Sequence, residues 1–366
     1  MYLPAFPAIA EGLRADHAAV QRTLAAFFLG MGIGQLAYGA LSDRFGRRGP
    51  LLGGLALFTL ASMGAALAAS AGWLTGLRFV QGLGGCAGMV VARAIARDLT
   101  EGPAMVRLMS RLMLVMGIAP ILAPTLGGAL LAVAGWRAIF WALALYGAAL
   151  ALAVARALPE SLPPERRRRD GPAEVARVYA GLLADRRFLG LALSGALPMA
   201  GMFAYIAGSP FVFMELHGVS PGGYGLFFGL NALGIMAVAQ ANARLAGRVP
   251  PLRALAVVQG AMAAVGLLLL GAALTGAGGF AAIVALLLLY VSGVGAVMPL
   301  ASALAMAPQG RVAGSASALI GTLQFGLGAV VGWLLGALHD GTALPMALGI
   351  ALCGVAGVAA RVGLVR

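Results

Sequence analysis

The chain has 366 residues, of which 61% are hydrophobic and only 10% are charged. Soluble globular proteins keep about a quarter of their residues charged, so this composition excludes that class and predicts an integral membrane protein whose surface faces lipid. The formal net charge is +13, and all 25 basic side chains are arginine. Because the arginines lie in short clusters between apolar runs, they indicate loops facing anionic lipid rather than a nucleic-acid-binding surface.

The opening segment, MYLPAFPAIA, is apolar, carries two prolines and is followed at once by Glu11. A helix of this length, rising about 1.5 Å per residue, crosses only about half of a bilayer's hydrocarbon. The segment also lacks the basic leader and the apolar length of a signal peptide. We therefore expect it to be the outer half of a truncated first span, followed by a loop from Glu11 to Arg22.

Eleven further apolar runs have the length of helices that cross a membrane. They lie at 23–42, 50–70, 73–95, 108–134, 136–157, 188–213, 222–243, 253–275, 279–305, 313–337 and 344–362. Glycine (55 residues) and alanine are spread through these runs, and small residues let membrane helices approach closely. The pattern predicts a tightly packed, all-α bundle.

Arginine-rich connections alternate along the chain with connections that are nearly free of arginine. The arginine-rich ones lie at 43–49, 97–111, 156–187, 244–253 and around Arg311. The positive-inside rule places these loops, together with the C-terminus, in the cytoplasm. We therefore expect a multi-pass protein of the bacterial inner membrane.

The only long polar connection divides the chain into two groups of helices. It predicts an N-terminal helix bundle at 1–158, a cytoplasmic linker at 159–187 and a C-terminal bundle at 188–366. Five full helices precede the linker and six follow it, so a six-plus-six arrangement needs one more helix at the N-terminus.

The residues that usually carry metal, redox or catalytic chemistry are few and scattered. Cys86 and Cys353 lie inside separate apolar runs, and His17, His217 and His339 lie apart from one another in predicted loops. No disulfide, metal site or cofactor is expected. Neither an acid–base–nucleophile constellation nor a phosphate-binding loop is present, so an enzyme and an ATP-driven pump are disfavoured.

The stretch GALSDRFGRRGPL, at 39–51, is the most specific pattern in the chain. Gly39 allows close helix contact, and Gly46 permits a tight turn that a side chain would obstruct. Asp43 lies at a helix end, where it can pair with Arg47 or with the N-terminus of another helix. The flanking arginines, Arg44 and Arg48, complete the pattern.

The spacing of this stretch resembles the loop between spans two and three of the major facilitator superfamily. Two further stretches resemble motifs of its drug:proton antiporters. LRFVQGLGG (77–85) is similar to the span-four motif, with Arg78, Gln81 and Gly82 at the expected places. MGIAPILAPTLGGAL (116–130) is similar to the span-five antiporter motif through Pro120, Pro124, Gly127 and Gly128, although Ala119 and Ala123 stand where glycine is usual.

Two peripheral matches narrow the resemblance to the bicyclomycin/chloramphenicol-resistance (Bcr/CflA) type. These are MYLPAFPAI, similar to the end of that group's first span, and AGSASALIGTLQFGLGAVVG (313–332), similar to its eleventh. The stretch NARLAGRV (242–249) is a weaker echo of the loop motif in the second half. It fits an ancient duplication of the two halves.

The resemblance implies two pseudo-symmetric six-helix bundles, with the first helix truncated here. It implies proton-driven export of small, amphipathic, drug-like molecules by alternating access, by a protein that acts as a monomer in the bilayer without nucleic acid. Two alternatives stay open: the same fold exporting an endogenous metabolite, and an inactive or N-terminally truncated copy.

Arg78, with Gln81 beside it, is the candidate for proton coupling. It lies inside an apolar run, where charge is costly and usually functional, and the resembled family uses its span-four arginine in this way; a snorkelling arginine is the alternative. In that family an aspartate commonly precedes the M-Y-L-P run. We therefore expect Met1 to be an internal methionine and the carboxylate partner of Arg78 to lie upstream.

Asp43, Arg47 and Asp98 are implied to form a cytoplasmic gate. The family's equivalents connect spans two and four with the start of span eleven, here near Gly314; the alternative is that these charges only set the topology. Polar residues within spans are candidate substrate contacts or, alternatively, interhelical hydrogen-bond partners. They are Gln35, Tyr38, Tyr205, Asn231 and Gln324.

Overall fold

The computed structural model describes residues 1–100, 102–167 and 171–365, without the side chains of Arg97, 102–121, Arg166, Pro172, Pro221 and Arg311. These ranges contain helices and turns and no β-strand, as the composition predicts. The helices are α1 (Phe6–Gly12), α2 (His17–Phe45), α3 (Arg48–Ala66), α4 (Ala71–Leu99), α5 (Gly102–Ala157), α6 (Pro172–Ala184), α7 (Arg186–Pro210), α8 (Pro221–Leu245), α9 (Pro251–Thr275), α10 (Gly279–Met306), α11 (Ala313–Ala337) and α12 (Leu344–Leu364).

Polar caps set several helix starts that hydropathy alone misplaces. Helix α2 begins at His17, six residues before the predicted run, because Asp16 accepts a hydrogen bond from the Ala19 N–H at 2.6 Å. A side-chain oxygen at this position satisfies one of the unpaired N–H groups of the first turn. The predicted loop from Glu11 to Arg22 is therefore wrong beyond Asp16.

One connection agrees with the prediction and another departs from it. The break predicted between the helices at 108–134 and 136–157 is present within α5, where Gly135 takes a non-helical backbone (φ 75°, ψ 177°) that separates the directions of the two parts. The predicted linker contains a helix of its own, α6, which the charge and proline content obscured. Its residue Leu182 is 4% exposed and packs on the core.

The molecule has the surface of a protein in lipid. Within the described ranges, ten helical segments are long and apolar enough to cross a membrane. One of these segments, Leu122–Ala157, begins where the described side chains of α5 begin and includes both sides of the break at Gly135, so two predicted runs fall within it. Large apolar side chains point outward along these segments, among them Val133, Leu145 and Leu226. This is a multi-pass membrane protein.

Helices α2 and α11 form a close contact between the two halves of the chain. The Thr322 hydroxyl donates to the Gly32 carbonyl at 2.9 Å, and a Cβ added to Gly32 would lie 3.2 Å from the Gly326 backbone nitrogen. Such small-residue contacts bring membrane helices to backbone distance.

The two ends of the bundle differ in chemistry. We call the end that carries the turn between α2 and α3, with Arg47, the basic end, and the opposite end, with His17 and His339, the histidine end. At the basic end, Gly46 and Gly247 occupy corresponding turns of the two halves with similar positive φ values of 91° and 82°. Both conformations favour glycine, which agrees with the repeat seen in the sequence.

Candidate functional site

Arg47 is the centre of a buried ion cluster at the basic end. Its side chain is 7% exposed; Nε donates to Asp98 Oδ2 at 2.7 Å, and Nη1 donates to Asp43 and, at 3.1 Å, to the Ser42 hydroxyl. Burial acts to lower the pKa of Arg47, but the bonds to Asp98 and Asp43 outweigh it and raise the pKa above its usual value. The structure thus brings the three predicted gate residues together. Their role as a gate stays a prediction.

The linker joins this cluster through Glu160, a residue that sequence reasoning missed. Its carboxylate accepts the Arg47 N–H at 2.7 Å and the Arg48 N–H at 3.2 Å. Gly46 is needed beside it: its φ is 91°, and an added Cβ would lie 2.5 Å from Glu160 Oε2. The neighbouring Ser161 donates to Asp98 at 3.2 Å. The only sequence signal was an acid in the proline-rich linker, with nothing to show a partner 113 residues away.

Arg78 is buried, at 4% exposure, rather than snorkelling to an interface. Its guanidinium lies 4.3 Å from the ring centre of Tyr2 and 4.1 Å from that of Phe27. Its Nη1 donates to Gln81 Oε1. The amide nitrogen of Gln81 in turn donates to the Ser62 hydroxyl at 2.6 Å. Among the described residues no carboxylate pairs with it, and its Nε atom is buried without a hydrogen-bond partner.

A cavity of about 450 Å³ lies between the halves and opens toward the basic end. Gln35 lies at its inner part, and the exposed residues Arg44 and Phe45 lie at its rim. The lining combines apolar, hydroxyl and charged side chains from α2, α4, α6 and α11. It includes Gly39, Asp43, Val90, Arg93, Val175, Tyr179, Gly314, Ser315 and Ser317.

Aromatic rings close the path beyond this cavity toward the histidine end. Phe28 on α2 lies 4.3 Å from Phe203 on α7, and Phe203 lies 5.5 Å from Phe325 on α11, measured between ring centres. We call these three residues the aromatic plug. Because it joins both halves, the bundle is open at the basic end and closed at the histidine end.

The predicted substrate contacts do not converge on one surface. Gln35 lines the cavity. Tyr205 and Asn231 instead bond to each other, through Asn231 Nδ2 and the Tyr205 hydroxyl at 2.9 Å, and are buried in the C-terminal half. Tyr38 and Gln324 are also buried, at 7% and 8% exposure, and do not line the cavity. Interhelical bonding, the stated alternative, describes the Tyr205–Asn231 pair.

The antiporter-motif residues on α5 are packing positions in this conformation. Pro124, Gly127 and Gly128 are buried. A Cβ added to Gly127 would lie 2.2 Å from the Met1 carbonyl oxygen, so the opening segment packs directly on this helix. The side chain of Pro120 lies outside the described residues.

The expectation that the histidines lie apart is wrong for two of them. His17 and His339 come within 5.3 Å between ring centres at the histidine end, and His17 Nε2 lies 2.9 Å from Glu215 Oε2. Chain separation hid this contact, because the three residues belong to α2, to the π-helical segment Phe211–Leu216 after α7 and to the turn after α11. In the part of the chain that the structure describes, no group of three or more such side chains is arranged to hold a metal ion.

A family model, the Major Facilitator Superfamily, matches residues 1–333 of the sequence. The chain belongs to the Major Facilitator Superfamily. Members of this superfamily are transporters and not enzymes, so a small-molecule cargo is implied.

Curated relatives and solved structures agree with this membership. The chain is 39% identical to the uncharacterized MFS-type transporter YdgK of Bacillus subtilis (strain 168), over 100% of this chain and 91% of that protein. It is 32% identical to a bicyclomycin resistance protein homolog of Haemophilus influenzae, over 98% and 90%. It is also 32% identical, over 63% and 58%, to the multidrug resistance protein MdtL of Escherichia coli O9:H4.

Solved structures share the fold at low sequence identity. The xylose transporter XylE from E. coli, in a partially occluded inward-open conformation, matches with a TM-score of 0.74 at 16% identity, over 100% of this chain and 94% of that one. A bacterial homolog of the human lysosomal transporter Spinster, inward-facing, matches with a TM-score of 0.68 at 17% identity, over 100% and 91%. The solved structures confirm the predicted all-α major facilitator fold. The family match confirms the prediction that the protein is a transporter and not an enzyme.

Proposed function

We propose that this superfamily member exports small amphipathic molecules in exchange for protons, by alternating access of its two halves. The observation that carries the proposal is the cavity of about 450 Å³ between the halves, open at the basic end and closed beyond by the aromatic plug. A central site that is accessible from one side at a time is what alternating access requires.

The direction of transport follows from the charge distribution. Positive loops stay in the cytoplasm during insertion, and the turns at the basic end carry arginines such as Arg44, Arg47 and Arg48. The proposal places the basic end and the C-terminus in the cytoplasm of a bacterial inner membrane, so the cavity takes up cargo from inside the cell.

Two observations support an amphipathic cargo. The cavity wall alternates apolar side chains, such as Val90 and Val175, with the hydroxyls of Ser315 and Ser317 and the amide of Gln35. Relatives are named for bicyclomycin resistance and for multidrug resistance. Gln35 is the residue we assign to cargo contact.

Arg78 and Gln81 are proposed to couple transport to protons. A guanidinium stays charged at all relevant pH values, and one buried in a membrane span is expensive unless it serves a purpose. Its unpartnered Nε atom leaves one donor free to bind an anionic group during the cycle.

The cluster of Asp43, Arg47 and Asp98 is proposed to act when the basic end closes. Its hydrogen bonds are complete within the N-terminal half and the linker while the cavity is open. Asp43 and Gly314, at the start of α11, line the same cavity. Closure would bring the N-terminus of α11 close to the Asp43 carboxylate. A negative charge near a helix N-terminus is stabilised, so the contact would favour the closed basic end.

Asp43→Asn tests the proposal because it keeps the side-chain shape and removes the charge. Drug susceptibility in an efflux-deficient bacterium and proton release from inside-out vesicles would be measured over a panel of antibiotics and endogenous metabolites. We expect wild type and the control Glu165→Gln, an exposed linker acid, to transport, and Asp43→Asn to lose transport at equal membrane abundance. Unchanged transport by Asp43→Asn would reject the gate, and no proton-coupled flux of any compound by wild type would reject the antiport mechanism.

A further inference from the structure

The histidine end holds a cluster of ionisable side chains contributed by both halves. His17 is the first residue of α2, Glu215 lies in the π-helical segment Phe211–Leu216 that continues α7, and His339 follows α11. The His17–Glu215 contact, at 2.9 Å, crosses from the N-terminal to the C-terminal half. Phe211 packs against both imidazoles, with ring centres 5.6 Å from His17 and 4.5 Å from His339.

The contact is accessible to protons and is not neutralised from elsewhere. The side chains of His17 and Glu215 are 35% and 28% exposed, so water at this end reaches both. Among the described residues, the groups that act electrostatically on Glu215 are His17 and His339. The remaining titratable or charged groups described at this end are Glu11, Arg14, Asp16, Arg22, Arg137, His217 and Asp340.

Those other groups are engaged outside the cluster or exposed. Asp16 caps α2 and lies 3.9 Å from Arg22, and Asp340 accepts from Thr342. His217 bonds to the Val212 carbonyl at 2.7 Å and stacks on Phe280, both within the C-terminal half. His217 is therefore a histidine at the same end that does not bridge the halves.

We propose that His17, Glu215 and His339 form a proton-binding site that holds the histidine end closed. A neutral His17 gives Glu215 a hydrogen bond, whereas a protonated His17 gives it an ion pair as well. Because this pair exists only when the halves are together, the closed state binds the proton more tightly, and proton binding favours closure. Histidine is the side-chain type whose ordinary change of charge falls between pH 5 and pH 8.

This inference rests on the proposed alternating access, since a closed end must also open. With the histidine end outside the cell, external acid would favour the state that is open to the cytoplasm and ready for cargo. At still lower pH, once Glu215 takes up a proton and loses its charge, the ion pair is lost and the two protonated imidazoles repel. The closed population therefore passes through a maximum in mild acid.

Spin labels on the two halves would report the opening directly. Ala69→Cys and Ala277→Cys place labels on exposed turns at the histidine end, one in each half, in a background that carries Cys86→Ala and Cys353→Ala. Pulsed electron–electron distances would be measured from pH 8 to pH 5 in nanodiscs of phosphatidylcholine, whose lack of net charge keeps surface pH equal to bulk pH.

We expect the closed-to-open ratio of the labelled wild type to rise roughly twofold to fivefold between pH 8 and pH 6, the effect of a partly exposed ion pair. Glu215→Gln and, separately, His17→Asn should flatten this response, and His217→Asn should leave it intact. A flat wild-type response, or an unchanged response in Glu215→Gln, would overturn the site.

Transport measured on the same proteins separates this inference from the proposed function. If the protein exports a compound with proton coupling but its label distances do not change with pH, the proton-binding site is rejected and the proposed function stands. If the distances show a Glu215-dependent pH response but no compound of the panel is exported, the proposed function is rejected and the proton-binding site stands.

Discussion

Removing the Arg47 side chain should destabilise the protein far more than removing a neighbouring arginine. Arg47→Ala deletes bonds to Asp98, Asp43 and Ser42 and leaves the two carboxylates without the cation that they share. Breaking a fully buried pair from one side costs about 3–5 kcal/mol. Here Asp43 and Asp98 stay 31% and 17% exposed and regain some hydration, so we expect a loss of about 2–3 kcal/mol.

The matched control is Arg44→Ala, which removes the same charge from the same turn. Arg44 is exposed, and its described contact is a guanidinium 5.5 Å above the Phe45 ring, an arrangement worth about 0.5–1 kcal/mol at exposed sites. Any effect of lost positive charge on membrane insertion is therefore common to both variants.

The chain supplies its own unfolding probe for this comparison. Cys86 and Cys353 are 0% and 6% exposed, so a thiol-reactive dye labels them only when the surrounding helices open. The midpoint of labelling during a thermal ramp in detergent should fall by several degrees more for Arg47→Ala than for Arg44→Ala. Equal midpoints for the two variants would refute the view that the Arg47 cluster is a stabilising bridge.

Two further predictions concern the N-terminal half and the linker that packs on it. Gly82→Ala should destabilise the protein strongly, because its Cβ would lie 2.1 Å from the Phe27 carbonyl oxygen. Gly76→Ala on the same helix is the control: its Cβ would have nothing within 4 Å, and it should gain up to about 1 kcal/mol of helix propensity. Equal melting midpoints for the two variants would contradict this prediction. Burial acts to raise the pKa of Glu160, but the N–H groups of Arg47, Leu162 and Arg48 hold it below its ordinary value. The contact of Glu160 with the turn should therefore stabilise the fold above the ordinary carboxylate range and be lost as pH falls through the lowered pKa. The melting midpoints of wild type and Glu160→Gln should then differ at neutral pH and become equal below about pH 4. A difference in melting midpoint that stays the same at every pH would contradict this reasoning.

Hydropathy and charge predicted most of the helices, because the contrast between apolar runs and arginine loops is large in a membrane protein. The errors came from local chemistry that a hydropathy window averages out. Asp16 started α2 early by capping it, and α6 formed inside a segment whose prolines and charges favour a loop. The break at Gly135, by contrast, lies where the two predicted runs meet.

Contacts in the candidate site could be predicted where both residues belong to one sequence motif. They could not be predicted where the two residues come from distant segments of the chain. Asp43 and Arg47 are one helical turn apart, so their pairing follows from spacing. Glu160 reaches the same turn from the linker, and His17 meets Glu215 and His339 from three separate elements. One sequence without structure carries no record of such contacts. Tyr205 and Asn231 were chosen for polarity alone, and the structure shows that the Asn231 amide nitrogen donates to the Tyr205 hydroxyl, while Asn231 Oδ1 is buried without a hydrogen-bond partner.

The glycine contact between α2 and α11 has a mechanical consequence. Gly32, Gly326 and Gly332 place backbone or alanine methyl groups, rather than long side chains, along part of the line where the halves meet. Long interlocking side chains resist sliding because each must leave its rotamer well to pass a neighbour. A smooth backbone seam offers little such friction. It can serve as a pivot on which the two bundles tilt, so the energy that distinguishes one orientation from the other resides at the two ends of the molecule.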